Sequence, residues 1–400
     1  MKNIKAATFV FTILMAIQCS HKPASGTAQG GVESGTPGKS VVVGAEQMDV
    51  LLPKLRNKNV ALVVNHTSLV GNTHLTDTLM SSGVRVKKVF APEHGFRGAA
   101  ADGEKINDGI DSRTGLPIVS LYGANRKPTP EQLAGVDVVV FDIQDVGTRF
   151  YTYISTMHYV MEACAQQGKK MIILDRPNPN GDYIDGPIRV PSLKSFVGMH
   201  PIPIVHGLTV GELSAMINGE GWLENKLKCD VEVIPVKGWT HNDFYSLPVK
   251  PSPNLPNDQA VQLYPSLCLF EGTVISVGRG TLQPFLIIGN PKFKEMPFSF
   301  TPKPIQGMSN EPPHEGETCY GLDLSKVEVE PRITLKYLLD FYHQYPDKEK
   351  FFIGSFDRLA GTPELKEQIK KGMTEEEIKA TWKEGLNAYQ EMRKKYLIYQ

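Results

Sequence analysis

The sequence predicts an α/β protein: a Rossmann-like, doubly wound, mainly parallel sheet joined to a second, smaller α+β domain. Three observations predict it. Between residue 41 and about residue 240, short runs of β-branched and apolar residues recur, each followed by a polar, glycine-containing motif. Stretches with apolar residues at helical spacing lie between several of these runs. Beyond them the pattern changes to a proline-rich stretch, two strand-like runs and a succession of helices. Continuous apolar runs suit strands buried on both faces, as in a parallel sheet, and strands alternating with helices wind such a sheet doubly. A chain of 400 residues suits two domains, expected at 41–240 and 241–400.

The first predicted strand, 60–64, leads into Asn65-His66-Thr67-Ser68. The next, 84–90, leads into APEHGFRG (91–98), and 116–121 leads into Tyr122-Gly123. Residues 136–141 lead into DIQDVGTRFYTY (142–153), 171–174 into DRPNPNG (175–181), 202–205 into HGLT (206–209) and 231–236 into KGW (237–239). Helices are predicted over 72–82, over 151–168 with Gly168 as its stop, and over 210–218. Thr209 and Glu212 form a capping box for the last of these. In the second segment, Pro248, Pro251, Pro253, Pro256 and Pro265 precede strand-like runs at 272–277 and 285–288. Helices follow at 333–345, 362–371 and 374–396, the last opened by a Thr374/Glu377 capping box.

The N-terminus reads as an export signal. Lys2 and Lys5 precede an apolar stretch, Ala6 to Ile17, which is too short for a membrane span of ~20 residues and fits a secretory signal. Cys19 stands where a bacterial lipoprotein carries its lipid, so residues 1–19 are expected to be a signal peptide and 20–40, rich in Gly, Ser, Thr and Pro, a flexible tether. The expected location is therefore the periplasm or cell envelope, with the membrane engaged by the lipid alone. The other cysteines, Cys164, Cys229, Cys268 and Cys319, form no CxxC or Cys/His cluster, which argues against structural zinc; export permits disulfides, but spacing does not pair them. Lys+Arg and Asp+Glu are both 43, giving zero net charge; nucleic acid as partner would call for a basic footprint.

In open parallel sheets ligands bind beyond the carboxyl ends of the strands. The polar motifs sit at those ends, offering Asn65, His66, Glu93, His94, Asp142, Gln144, Arg149, Asp175, Arg176 and His206 on one rim. Neither a phosphate-binding G-x-x-x-x-G-K-[ST] nor a nucleophile elbow G-x-S-x-G is present, which argues against a nucleotide or a serine hydrolase. Paired carboxylates are the chemistry of glycosidases, which need an acid for the leaving oxygen and a second group for water or the anomeric carbon. Glu93, between Pro92 and His94-Gly95, is the expected acid, and Asp142 the expected partner. Asp145 reads better as structural. Tyr151 and Tyr153 are expected to stack on sugar faces, with Arg149 and Arg279 meeting an acidic substituent. Asn254 and Glu271 would line the far wall from the second domain, and Glu271, between Phe270 and Gly272, is also a second carboxylate candidate. The histidines could instead hold a divalent metal, though metal-motif spacings are absent, and no cofactor is expected.

APEHGFRG (91–98), Asp102-Gly-Glu104, GLPIVSLYG (115–123), DVVVFDIQDVGTRFYTYISTM (137–157), DRPNPNG (175–181) and FEGTVISVGRGT (270–281), with 372–378, Trp382 and Tyr396-Leu397, resemble the exo-β-N-acetylmuramidase family across 41–400. The resemblance implies an exo-acting hydrolase that releases non-reducing-end N-acetylmuramic acid from peptidoglycan fragments, with Glu93 as the leading catalytic residue. It leaves the second catalytic group open, the substrate's own 2-acetamido group included. A saccharide-binding lipoprotein without turnover and a metal-dependent hydrolase are the competing readings.

Overall fold

In chain order the elements are α1 (Met48–Leu55), β1 (Asn59–Val64), the short hairpin β2 (Leu69–Val70) and β3 (Thr73–His74), α2 (Leu75–Ser81), β4 (Arg85–Ala91), β5 (Gly109–Ile110), β6 (Pro117–Ser120), α3 (Pro130–Leu133), β7 (Val138–Asp142), α4 (Tyr153–Gln166), β8 (Lys170–Leu174), α5 (Val210–Gly219) and β9 (Asp230–Ile234). This is a computed structural model describing residues 40–97 and 108–400. The signal segment, Cys19, residues 20–39 and the Asp102-Gly-Glu104 motif lie outside the described residues. The sheet order is β5-β6-β4-β1-β7-β8-β9, with β5 antiparallel and the other strands parallel. The parallel strands thus run in the doubly wound order 3-2-1-4-5-6, with the direction of winding reversing between β1 and β7.

The apolar runs are explained by burial on both faces. Val60, Leu62 and Val64 of β1, with Val138 and Val140 of β7, pack on Leu51, Leu55, Leu75 and Leu79 of α1 and α2. The alternate residues Ala61, Val63, Val139 and Phe141 pack on Ile154, Met157 and Val160 of α4 and Leu213 and Met216 of α5. Thr209 caps α5 in the predicted box, its hydroxyl accepting from Glu212 N at 3.2 Å.

The second part carries α6 (Asp258–Leu267), the antiparallel sheet β10 (Ile287–Asn290), β11 (Phe298–Phe300) and β12 (Cys319–Asp323) in the order β10-β12-β11, and the helices α7 (Lys336–Gln344), α8 (Phe356–Ala360), α9 (Glu364–Lys370), α10 (Glu375–Ala380) and α11 (Lys383–Arg393). Its core, including Leu255, Leu263, Phe270, Phe341 and Trp382, is continuous with the α4/α5 face of the large sheet.

Several expected elements differ. Residues 202–205 form no strand; Val205 makes only single bridges to Thr148 and Asp185. The run is apolar because it is buried, and the Ile202 and Ile204 carbonyls are taken by Arg149 instead of a neighbouring strand. Residues 272–277 likewise make single bridges, at Thr273 and Ser276. The helix expected over 374–396 is broken between α10 and α11, where Trp382 turns into the core; the Thr374/Glu377 box is present. Cys164, Cys229, Cys268 and Cys319 are buried and free.

Candidate active site

The strand β4 is exposed at its start and buried at its end, so it delivers Pro92-Glu93-His94-Gly95 to the carboxyl edge of the sheet. Gly95 N donates to Pro92 O at 3.0 Å, closing a turn in which His94 carries a φ of 67°. That left-handed backbone costs a non-glycine residue about 1 kcal/mol or more and persists only where neighbours enforce it. Here the ring is buried, with Nε2 3.2 Å from Ser252 Oγ of the second part, and Ser252 Oγ also accepts the Asn254 amide at 3.2 Å. The turn projects Glu93 sideways, where its Oε2 accepts from Thr152 Oγ1 at 2.9 Å, just ahead of α4.

Glu93 opens into a cleft of about 330 Å³, within the range of small-ligand sites. The Rossmann-like part supplies Glu93, His94, Tyr122, Arg126 and residues 150–153. The second part supplies Ser252, Asn254, Tyr264, Glu271, Arg279 and Phe285. Aromatic rings form much of its wall: Tyr151 and Tyr153 meet edge-on at 4.9 Å, as do Tyr264 and Phe285. Tyr151 OH donates to Pro251 O at 2.7 Å. Burial, with the charge of Glu93 next, pushes the Tyr153 hydroxyl up, so it stays protonated. Glu271 is ion-paired with Arg279 Nε, whose guanidinium lies 5.3 Å from the Phe285 ring centre. Asn254 Nδ2 donates to Met308 O at 2.9 Å, tying the far wall together. A larger depression lined by α1 and residues 82–85 lies at the amino ends of the strands, away from these groups.

The structure thus brings Glu93, His94, Tyr151, Tyr153, Asn254, Glu271 and Arg279 to one cleft. The remaining expected residues do not line that cleft. Asp142 is fully buried and held by Arg176 through Nε (2.6 Å) and Nη2 (3.0 Å), so it is not placed to act on a substrate. Arg176 also donates to Leu69 O. Asn65 Oδ1 accepts from Thr67, and Gln144 donates to Asp145 O and Pro177 O, both at 2.8 Å. These bonds fill the crevice at the β1/β7 reversal with the protein's own polar groups. His66, half-buried, hydrogen-bonds Lys250 O.

Arg149 is also displaced from the expected role. It is 0% exposed, and its guanidinium donates to the carbonyls of Pro187, Ile202, Leu359 and Ala360 at 2.7–3.0 Å. Two of these are the last carbonyls of α8, which lack helical partners and carry the negative end of the helix. Asp175 accepts from Thr209, Gly211 and Tyr399, and the His206 carbonyl accepts from Tyr389 OH at 2.7 Å; both hold the C-terminal segment. Burial pushes the Asp175 carboxyl up to about 6, the Asp145 carboxyl up to about 7 and the His206 ring down to about 3. Among the described residues no group of three His, Cys, Asp or Glu side chains is gathered as a metal site.

Sequence models of the N- and C-terminal parts of exo-β-N-acetylmuramidase NamZ match residues 60–259 and 262–399. The chain belongs to the exo-β-N-acetylmuramidase family. As a member of that family it is 39% identical over 380 residues to the peptidoglycan β-N-acetylmuramidase NamZ of Bacillus subtilis (strain 168), an alignment covering 88% of this chain and 90% of that protein. It is also similar to two crystal structures of DUF1343 family proteins from Bacteroides fragilis NCTC 9343. One has a TM-score of 0.85 at 47% identity, covering 90% of this chain and 99% of the other. The second has a TM-score of 0.77 at 30% identity, covering 91% and 100%.

Several residues lining the cleft are not among those expected from sequence. Thr152 sits inside a motif already singled out, and Tyr122 and Arg126 follow a predicted strand, so position at a strand end was the available signal. Ser252, two residues before Asn254, lay in the same proline-rich stretch. Phe196 and Leu359 come from segments with no periodicity or motif to mark them.

Proposed function

We propose that the chain is an exo-acting glycoside hydrolase that removes N-acetylmuramic acid from the non-reducing ends of peptidoglycan fragments. The observation that carries this reading is Glu93, lifted from the strand end into an aromatic-walled cleft and oriented by Thr152, in a chain of the exo-β-N-acetylmuramidase family. Glu93 acts as general acid, protonating the oxygen of the departing sugar. Tyr151, Tyr153 and Tyr264 line the wall against which the pyranose ring would pack. A cleft of about 330 Å³ suits one terminal sugar better than a long run of glycan, in keeping with exo action.

The test uses paired aryl β-glycosides, one N-acetylmuramic and one N-acetylglucosaminyl, with and without EDTA. The wild-type protein should cleave the muramic compound in either buffer. Glu93→Gln, nearly isosteric, should lower kcat by at least about a hundredfold while circular dichroism stays unchanged. Near wild-type turnover in that variant would remove Glu93 from the role. Saturable binding with no released chromophore would favour a saccharide-binding protein.

The reading extends to location. The signal pattern ahead of Cys19 supports an exported, lipid-anchored protein of the cell envelope, where peptidoglycan lies. Cys19→Ser should move the chain from the membrane fraction to the soluble fraction; an unchanged distribution would count against the anchor.

A further inference from the structure

We propose that Arg126 selects the substrate by pairing with the carboxylate of its lactyl ether. This rests on the muramidase reading above. N-acetylmuramic acid differs from N-acetylglucosamine by a 3-O-lactyl group, which carries one negative charge. A cation within hydrogen-bond reach of that carboxylate would give a site preference for the muramic sugar. Arg149, the arginine expected from sequence, is fully buried on backbone carbonyls and cannot supply it.

Two arginines line the cleft among the described residues, Arg126 and Arg279. Arg279 is engaged by Glu271, and its side chain is 13% exposed. Arg126 is exposed, on the loop after β6, and is ion-paired with no carboxylate among the described residues. Its neighbour Lys127 is already committed, 2.8 Å from Glu162.

The geometry holds Arg126 ready. Its Nε donates to Gly123 O at 3.1 Å, and its guanidinium carbon lies 4.4 Å from the Phe196 ring centre. A guanidinium stacked on an aromatic face keeps its edge available for two parallel hydrogen bonds to a carboxylate. The platform is itself fixed. Phe196 stacks on Tyr159 of α4 with 14° between the ring planes, and Ser155 Oγ of α4 donates to Phe196 O at 2.7 Å. The cation is thus seated against the same helix whose start orients Glu93. Holding the lactyl group there fixes the ring to which it is attached.

The experiment compares wild type, Arg126→Ala and Arg126→Lys on three aryl β-glycosides: N-acetylmuramic, its lactyl methylamide, and N-acetylglucosaminyl. Arg126→Ala should lower kcat/KM on the muramic compound by about tenfold or more, as expected for a charge-assisted pair at a partly solvated site. It should change the two neutral compounds by less than about twofold, and Arg126→Lys should retain part of the preference. Where a neutral glycoside is not turned over, competitive inhibition by the free sugar and by its methylamide gives the same comparison. Equal losses on charged and neutral compounds, or no loss on the muramic one, would overturn the proposal. A wild-type protein inert on the muramic glycoside would instead defeat the muramidase reading. The exposed position of Arg126 leaves the fold intact in these variants, checked by circular dichroism.

Discussion

Burial and hydrogen bonding separate the residues that face a substrate from those that only share its strand ends. Arg149 and Arg126 illustrate the difference. Both follow apolar runs on one rim, and either could serve a carboxylate by residue type alone. Arg149 is enclosed, and burial pushes its guanidinium down to about 9, which leaves it charged at neutral pH. Its charge is met by four carbonyls from three segments, so truncation would leave several buried acceptors orphaned. Arg149→Ala should therefore destabilise the fold by about 3 kcal/mol or more, read by urea denaturation. The fraction that remains folded should show an unchanged muramic-over-glucosaminyl preference. A stable variant with lost preference would restore Arg149 to the substrate. Sequence alone could not separate the two arginines, because burial at a strand end depends on what packs over it. Residues 359–360, which cap Arg149, lie 210 and 211 positions away in the chain.

Among the elements, the parallel sheet was readable and the second part much less so. Val60, Leu62 and Val64 face one side and Ala61 and Val63 the other, so β1 shows as a continuous apolar run that needs no tertiary context to be recognised. The capping boxes at Thr209 and Thr374 were equally legible, since they are local hydrogen-bond patterns. The run at 202–205 misled because burial and strand formation leave the same apolar trace. The failures in the second part have a different cause. β11 and β12 are short and half-exposed, and α6 contains Pro265, a residue that normally argues against a helix. Asn257 nevertheless starts α6 by accepting from Ala260 N at 3.0 Å. Of the site, the strand-end residue Glu93 was legible, and so were Asn254, Glu271 and Arg279 in the segments opposite. Asp142, Asp175 and Arg176 carry the same address but are consumed in holding the sheet's carboxyl edge together.

For the molecule as a whole, the cleft exists only because two parts of the chain share one core. Glu93 and Thr152 come from one part, and Ser252, Asn254, Glu271 and Arg279 from the other. The chain then returns: Tyr389 and Tyr399 donate to His206 O and Asp175 Oδ2, closing the far edge of the first part with the last residues of the second. Residues 40–240 expressed alone would lose both tyrosine donors, the Leu359 and Ala360 acceptors of Arg149, and the apolar cover over α4 and α5. Asp175, whose carboxyl burial already pushes up to about 6, would lose one of its stabilising donors. Each orphaned buried polar group costs about 1–3 kcal/mol, against a total stability of about 5–15 kcal/mol for a typical protein. The fragment should accordingly show weak near-ultraviolet circular dichroism and bind a hydrophobic dye, whereas the intact chain should unfold in one calorimetric transition whose enthalpy equals the van't Hoff value. Two separate transitions in the intact chain, or a fragment with sharp native signals, would show instead that the first part is stable by itself. The second part would then serve chiefly to bring Glu271 and Arg279 opposite Glu93.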